Sequence, residues 1–445
     1  MSSEKKRKGK RRDQRRGAKT RNFAERRGEN MAGDIKNKIV KYLIFFCICC
    51  FLPMLFLSSC AKTEKAIPKT VILNEIRTLM AQNYFNQSQL PVFNARLEAI
   101  ENSPDINLAE EINRLFDSLQ VSHIGLFTPN DLDYYELLGI FSPIFTDRLK
   151  TMFPPDGIVR YPGIGIAPRL IGGRYYAAFV YADTPAQRAG ILTGDELLTV
   201  DGQQYSPVKA FQGKVGQTVK LAIRRVQNGP VLELEVEVEA LNPNETFTAS
   251  NKNSGRIIER GGHKFGYIRM YTYAGEEFGQ ILVDTISGER FTSADALILD
   301  IRGRWGGAPL DAAEVFVGGT PSVEFITPTN ETSILNFRWT KPLVVIIGPE
   351  TRSGLEIMAY SLKKGGFPMI GNTTKGAVVG GAPFILSDGS LLEIPGIDVR
   401  VDGKRIEGVG VTPTVPVDFI LEYSQGGDPQ LETAINKAVE IMERK

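Results

Sequence analysis

The chain has 445 residues, enough for two or three domains. With 42% hydrophobic and 23% charged residues it is globular in composition, which excludes a disordered or fibrous chain. The formal net charge is +2, and the chain holds four cysteines and only two histidines, His123 and His263.

Residues 1–30 are crowded with Lys and Arg, a pattern that first suggests a nucleic-acid arm. The next thirty residues argue for no nucleic-acid partner. Lys36, Lys38 and Lys41 precede an apolar run from Tyr42 to Leu57, which ends in Leu57-Ser58-Ser59-Cys60. A basic region, an apolar region and a small-residue processing site make a signal peptide. The alternative, an uncleaved membrane anchor, meets a run that is short for a span and holds Pro53. The last four residues resemble the lipobox of bacterial lipoproteins. That resemblance makes Cys60 the lipidated first residue of the mature chain and expects a membrane-anchored protein of a Gram-negative-type cell envelope, periplasmic or surface-facing. Cys47, Cys49 and Cys50 would be removed, leaving the exported part without a disulfide or a thiol nucleophile.

Residues 61–155 read as a polar tether followed by helices. Val71, Ile72, Ile76, Leu79 and Met80 form one apolar stripe; Ile112, Leu115, Phe116 and Leu119 form another. Ser122-His123 comes directly after them. His123 reads either as a buried or capping histidine or as a functional one. Asp131–Leu149 is a further helical stretch, interrupted at Pro143.

Residues 160–241 form a β-module. Strands are expected at Tyr175–Tyr181, Glu196–Val200 and Thr218–Val226. In a further strand, Leu232, Leu234, Val236 and Val238 alternate with glutamates. Residues 241–255 read as a linker by composition. From residue 256 to 445, strands at Phe265–Tyr271 and Ala296–Ile301 alternate with helices at Glu276–Ser287 and residues 308–317. This pattern predicts an α/β domain with a mostly parallel sheet. His263, in a Gly-Gly-His-Lys turn, reads as exposed and idle.

The most informative stretch is Lys341–Gly381. Leu343–Ile347 is an apolar β-branched run, expected of a strand buried on both faces. Leu355, Met358, Ala359 and Leu362 then recur at helical spacing, and Gly365-Gly366 end the pattern. Ser353 stands where the strand hands over to the helix, facing free N–H groups and the positive end of the helix dipole. It reads either as a nucleophile with an oxyanion site beside it or, with Glu356 in S-x-x-E, as a capping box.

Two resemblances join these parts. The run Thr184–Asp195 followed by Val200-Asp201-Gly202 resembles a PDZ domain, which implies that the loop Gly163-Ile164-Gly165-Ile166 binds a peptide C-terminal carboxylate. The order of modules, together with Leu299-Asp300-Ile301-Arg302 to Gly306-Gly307, Ser353–Glu356, Gly371–Ser390 and Glu407–Pro413, resembles the C-terminal processing (tail-specific) serine proteases. The core is then expected to be ClpP/crotonase-like. The resemblance implies Ser353 as nucleophile, with Gly354 and either Gly306 or Gly307 as oxyanion donors. It calls for no metal or cofactor. Many members carry a lysine base where this chain has Ala377, with Lys375 two residues earlier, and a glutamine where it has Gly381. The tricorn-like branch instead uses a Ser-His pair ahead of the PDZ module and a glutamate near the terminal block. By that likeness the base is His123, supported by Ser122 and Glu407, with Lys375 as the rival base. The expected function is a lipid-anchored serine endopeptidase whose peptide or protein substrates expose their C-termini. The alternatives are a silent peptide-binding member and an envelope scaffold.

Overall fold

A computed structural model describes residues 67–103, 107–318, 323–335 and 338–444. The tail, the signal region and Cys60 lie outside the described residues. Residues 66–445 form one compact unit.

The unit opens with helices α1 (Lys69–Asn83), α2 (Leu90–Glu101) and α3 (Leu108–Asp117), where the apolar stripes placed them. Their buried faces, including Ile72, Ile76, Phe93, Leu97, Ile112 and Phe116, do not close on themselves. Leu386, Leu392 and Ile394, from far along the chain, complete the same cluster. Strand β1 (Gly125–Phe127), just after His123, is followed by α4 (Leu132–Ile140) and α5 (Thr146–Met152), with the break at Pro143 that the sequence predicts.

The β-module contains β2 (Tyr161–Gly163), β3 (Ile166–Ile171), β4 (Arg174–Val180), α6 (Pro185–Arg188), β5 (Glu196–Val200), β6 (Gln203–Gln204), β7 (Thr218–Arg224), β8 (Val231–Glu237) and β9 (Glu239–Leu241). Its main sheet runs β3-β4-β5-β7-β8, so β3 lies at an edge. Arg169 of β3 forms an ion pair with Glu350 of the α/β core.

The expected linker is instead a helix, α7 (Pro243–Ser254). Asn242 caps it by accepting from the Asn244 N–H, and Pro243 occupies its first turn. Composition misled because its buried face carries polar groups that have partners. Asn251 is fully buried, donates to the Thr272 carbonyl (2.9 Å) and accepts from the Tyr271 N–H (2.7 Å).

Strands β10 (Arg256–Arg260) and β11 (His263–Arg269) form a hairpin around Gly261-Gly262, and β10 was not expected. His263 is half-exposed, 3.8 Å from Asp295. Helices α8 (Glu276–Ser287) and α9 (Glu289–Thr292) lead to β12 (Ala296–Asp300). Residues 308–317 are not one helix but a turn followed by a short α10 (Glu314–Val317). A small hairpin comes next, β13 (Val323–Ile326) and β14 (Thr332–Leu335). The core continues with β15 (Leu343–Ile347), α11 (Gly354–Lys364), β16 (Met369–Gly371), β17 (Gly380–Ile385), β18 (Leu391–Ile397), the short pair β19 (Arg400–Val401) and β20 (Lys404–Arg405), β21 (Val415–Pro416) and α12 (Pro429–Glu443).

The main sheet has the order β10-β11-β12-β15-β16-β21 and is parallel from β11 onward. On one face Tyr267, Ile298, Val344 and Ile346 pack against Ala434, Ile435 and Ala438 of α12; on the other, Leu297, Leu299 and Val345 join Leu282 of α8 and Leu355, Met358 and Leu362 of α11. Burial on both faces explains why β12 and β15 read as unbroken apolar runs. At the end of β12, Arg302 bonds the buried Asp300, and both Asp428 and Gln430 at the start of α12 (2.6 to 3.1 Å). Burial pushes the Asp300 carboxyl up, but Arg302 and Arg269 overcome it and hold it well below the usual carboxylate range.

Candidate active site

Ser353 lies between β15 and α11 with φ 56° and ψ −132°, a conformation rare for a residue with a Cβ. Its side chain makes no capping hydrogen bond. The capping-box reading therefore fails. Glu356 has a different task. Its buried carboxylate accepts from the Thr374 hydroxyl (2.5 Å) and from the N–H groups of Gly376 and Ala377 (2.7 Å each). Ala377 in turn accepts from the Ser353 N–H through its carbonyl (2.7 Å). Glu356 thus fixes the loop on which the strained serine hangs.

Gly306 packs directly on the turn that carries Ser353. A Cβ there would lie 2.4 Å from Ser353 Cβ and 3.0 Å from the Gly354 N. Gly307 has φ 86°, and a Cβ on it would strike Ala274 instead. Of the glycine pair, Gly306 is the one against Ser353. Among the described residues, the N–H groups of Gly306, Gly307 and Gly354 donate to no other group, as an oxyanion site requires.

β1 pairs antiparallel with β18, setting Gly125 opposite Glu393 and Leu126 opposite Leu392. This pairing carries Ser122-His123 from the front of the unit to the segment after Ala377. Ser122 Oγ lies 2.9 Å from His123 Nδ1 and 3.0 Å from Glu407 Oε2. Glu407 also accepts from the N–H groups of Ser122 (2.7 Å), Val378 (2.7 Å) and Val379 (3.3 Å). A carboxylate so placed only accepts, so Ser122 donates to it and accepts from His123 Nδ1–H. This assignment from the network leaves the Nε2 lone pair free for proton abstraction. The same short segment therefore holds Ser353 through Ala377, Glu407 through Val378 and Val379, and His123 beside Gly381. The His123 ring bonds Ser122 through Nδ1, and no hydrogen bond joins Ser353 Oγ to His123 Nε2.

Gly381 stands where a glutamine was expected from the resemblance. A Cβ there would lie 2.5 Å from Glu393 Oε1 and 3.1 Å from His123 Cβ. The glycine leaves room for the histidine. Lys375, the rival base, is exposed; its backbone N–H bonds the Thr351 carbonyl (2.9 Å).

Three residues near the site were missed by sequence reasoning. The Arg352 guanidinium lies 5.0 Å over the Trp305 ring. Burial, with help from Arg352, lowers the His123 pKa to about 3. Glu393 is 4% exposed, and its carboxyl is raised by burial against the pull of Arg352. Only long-range pairing brings Glu393 here, so no local motif announces it.

In the β-module, Ile164 and Ile166 belong to the apolar core. Gly163 pairs with Glu239, and Gly165, at φ 85°, is packed against Thr184. The loop leads straight into the edge strand β3.

Two profiles and several relatives match this chain. The peptidase family S41 profile matches residues 264–417, and a PDZ domain profile matches residues 162–238. The carboxy-terminal processing protease CtpB of Bacillus subtilis is 25% identical over 306 residues, covering 65% of this chain and 60% of that protein. The chloroplastic carboxyl-terminal-processing peptidase 2 of Arabidopsis thaliana is 28% identical over 252 residues, covering 52% of this chain and 48% of that one. The chain thus spans about half the length of these relatives. Among solved structures, the photosystem II D1 C-terminal processing protease is 17% identical with a TM-score of 0.47, over 82% of this chain and 99% of that one. Residues 264–417 thus match peptidase family S41 and residues 162–238 a PDZ domain, and the chain is similar to C-terminal processing peptidases.

Proposed function

We propose that the chain is a serine endopeptidase in which Ser353 attacks the scissile carbonyl and His123 is the base, oriented by Ser122 and Glu407. The observation that carries this reading is the hydrogen-bonded chain Glu407–Ser122–His123, held by the loop that also holds Ser353. His123 Nε2 takes the serine proton as Oγ adds to the carbonyl, then returns it to the leaving amine. The N–H groups of Gly354 and of the Gly306-Gly307 turn meet the developing oxyanion. Edge strand β3 and the loop before it offer a place where a substrate C-terminus adds as a strand. A lipid on Cys60 would tether the enzyme in the cell envelope, where its substrates are proteins or peptides with exposed C-termini. The silent peptide-binding alternative is not favoured: its evidence was Ala377 and Gly381, and the latter makes space for His123.

A fluorophosphonate probe tests the reading. It should label the wild type and fail on Ser353→Ala; equal labelling of both removes Ser353 from the mechanism. Peptide cleavage should be lost in His123→Ala and kept in Lys375→Ala, and the reverse pattern reinstates the lysine. Acyl labelling lost in Cys60→Ala checks the anchor.

A further inference from the structure

Glu136 is 1% exposed, in the middle of the otherwise apolar face of α4. A buried carboxylate needs partners, and its partners come from other parts of the chain. The Trp305 indole Nε1–H donates to Glu136 Oε2 at 2.7 Å, and the Arg304 Nε–H donates to the same oxygen. The Tyr181 hydroxyl, from the PDZ domain, donates to Oε1 at 3.1 Å. One turn earlier on α4, Asp133 pairs with the other end of the Arg304 guanidinium.

These bonds grip the two residues just before Gly306. The opposite side of that loop is held by backbone: Arg304 N–H donates to the Tyr271 carbonyl at 2.8 Å, and Tyr273 N–H to the Gly306 carbonyl at 2.9 Å. The Trp305 ring in turn lies under Arg352, the neighbour of Ser353. We propose that Glu136 is a positioning residue for the oxyanion loop, holding Trp305 and Arg304 so that Gly306 stays seated against Ser353. The inference rests on the peptidase reading above. It means that the segment delivering His123 also sets the donors that meet the oxyanion, so docking of α4 completes both halves of the site.

Glu136→Gln keeps the shape but leaves one oxygen acceptor for three donors. The test uses the full chain and a peptide cleaved by the wild type but not by Ser353→Ala. Small displacements of catalytic groups are expensive, so kcat should fall about tenfold to a hundredfold with KM changed less than about threefold. A peptide aldehyde, whose serine adduct carries the oxyanion, should lose affinity in step with kcat/KM. Trp305→Phe removes a single donor while keeping the ring over Arg352, and should shift kcat and aldehyde affinity the same way by a smaller factor. It decides the matter if Glu136→Gln does not fold. Wild-type kcat and aldehyde affinity in a folded variant, or a rise in KM alone, overturns the positioning role. A wild type that never reacts at Ser353 overturns the peptidase reading itself.

Discussion

His123 is kept neutral by burial first and by the nearby Arg352 second, which together bring its pKa down to about 3. In the proposed mechanism a neutral imidazole is the form that accepts the Ser353 proton. The acid limb of kcat/KM attributable to His123 should therefore lie well below the ordinary value of about 6.5. Replacing Arg352 with Gln removes the repelling charge, so that limb should move upward in pH. A pH profile of kcat/KM unchanged in Arg352→Gln would show that the guanidinium does not act on the base. The same shift sets the sign of the stability effect. Between about pH 6.5 and 3 the unfolded imidazole binds a proton that the folded one refuses, so His123 withdraws stability as pH falls through that window. The sequence shows His123 but not its company: Arg352 is adjacent to the nucleophile in the chain, yet its effect on the ring depends on β1 reaching β18.

At the scale of elements, the turn that carries Ser353 depends on a clamp from the helix that begins there. Glu356, in the first turn of α11, satisfies two loop N–H groups and a hydroxyl. In Glu356→Gln, one of those buried N–H groups loses its acceptor, at a cost of about 1–3 kcal/mol. The loop through Ala377 should then loosen its hold on the Ser353 N–H. Chemical denaturation should show the loss of stability, and fluorophosphonate labelling of the folded variant should slow. Labelling at the wild-type rate would make Glu356 a stability residue alone. The S-x-x-E spacing was legible from the start, but a capping box and a loop clamp share it. The positive φ and the unused side chain of Ser353 separate them. Helix α7 and strand β10 were not legible. The first hides its apolar contribution behind buried Asn and Ser side chains, and the second is an edge strand with little alternation.

For the whole molecule, the N-terminal helices and the β17–β18 hairpin share a single apolar cluster, and neither closes it alone. A chain started after residue 120 should lose the shelter over Leu386, Leu392 and Ile394, and bind a dye such as ANS that reports exposed apolar surface. It should also lose peptidase activity while retaining Ser353 and His123, because the β1–β18 pairing that delivers the imidazole is no longer braced. Full activity in that truncated chain would show that the helices are dispensable to the site.

The sequence by itself determined the modules and their order. It marked the buried strands through their apolar runs, the turn that carries Ser353 through its place between strand and helix, and the PDZ domain through its turn motif. These signals are local: burial and turn chemistry act over a few residues and leave their pattern there. Tertiary structure alone decided that Gly306 rather than Gly307 lies against Ser353, that Glu407 reaches His123 through Ser122, and that Glu136 grips the loop before Gly306. The Glu136–Trp305 and Ser122–Glu407 contacts join residues 169 and 285 positions apart, and chain pairing over such distances leaves no periodicity in the sequence to read.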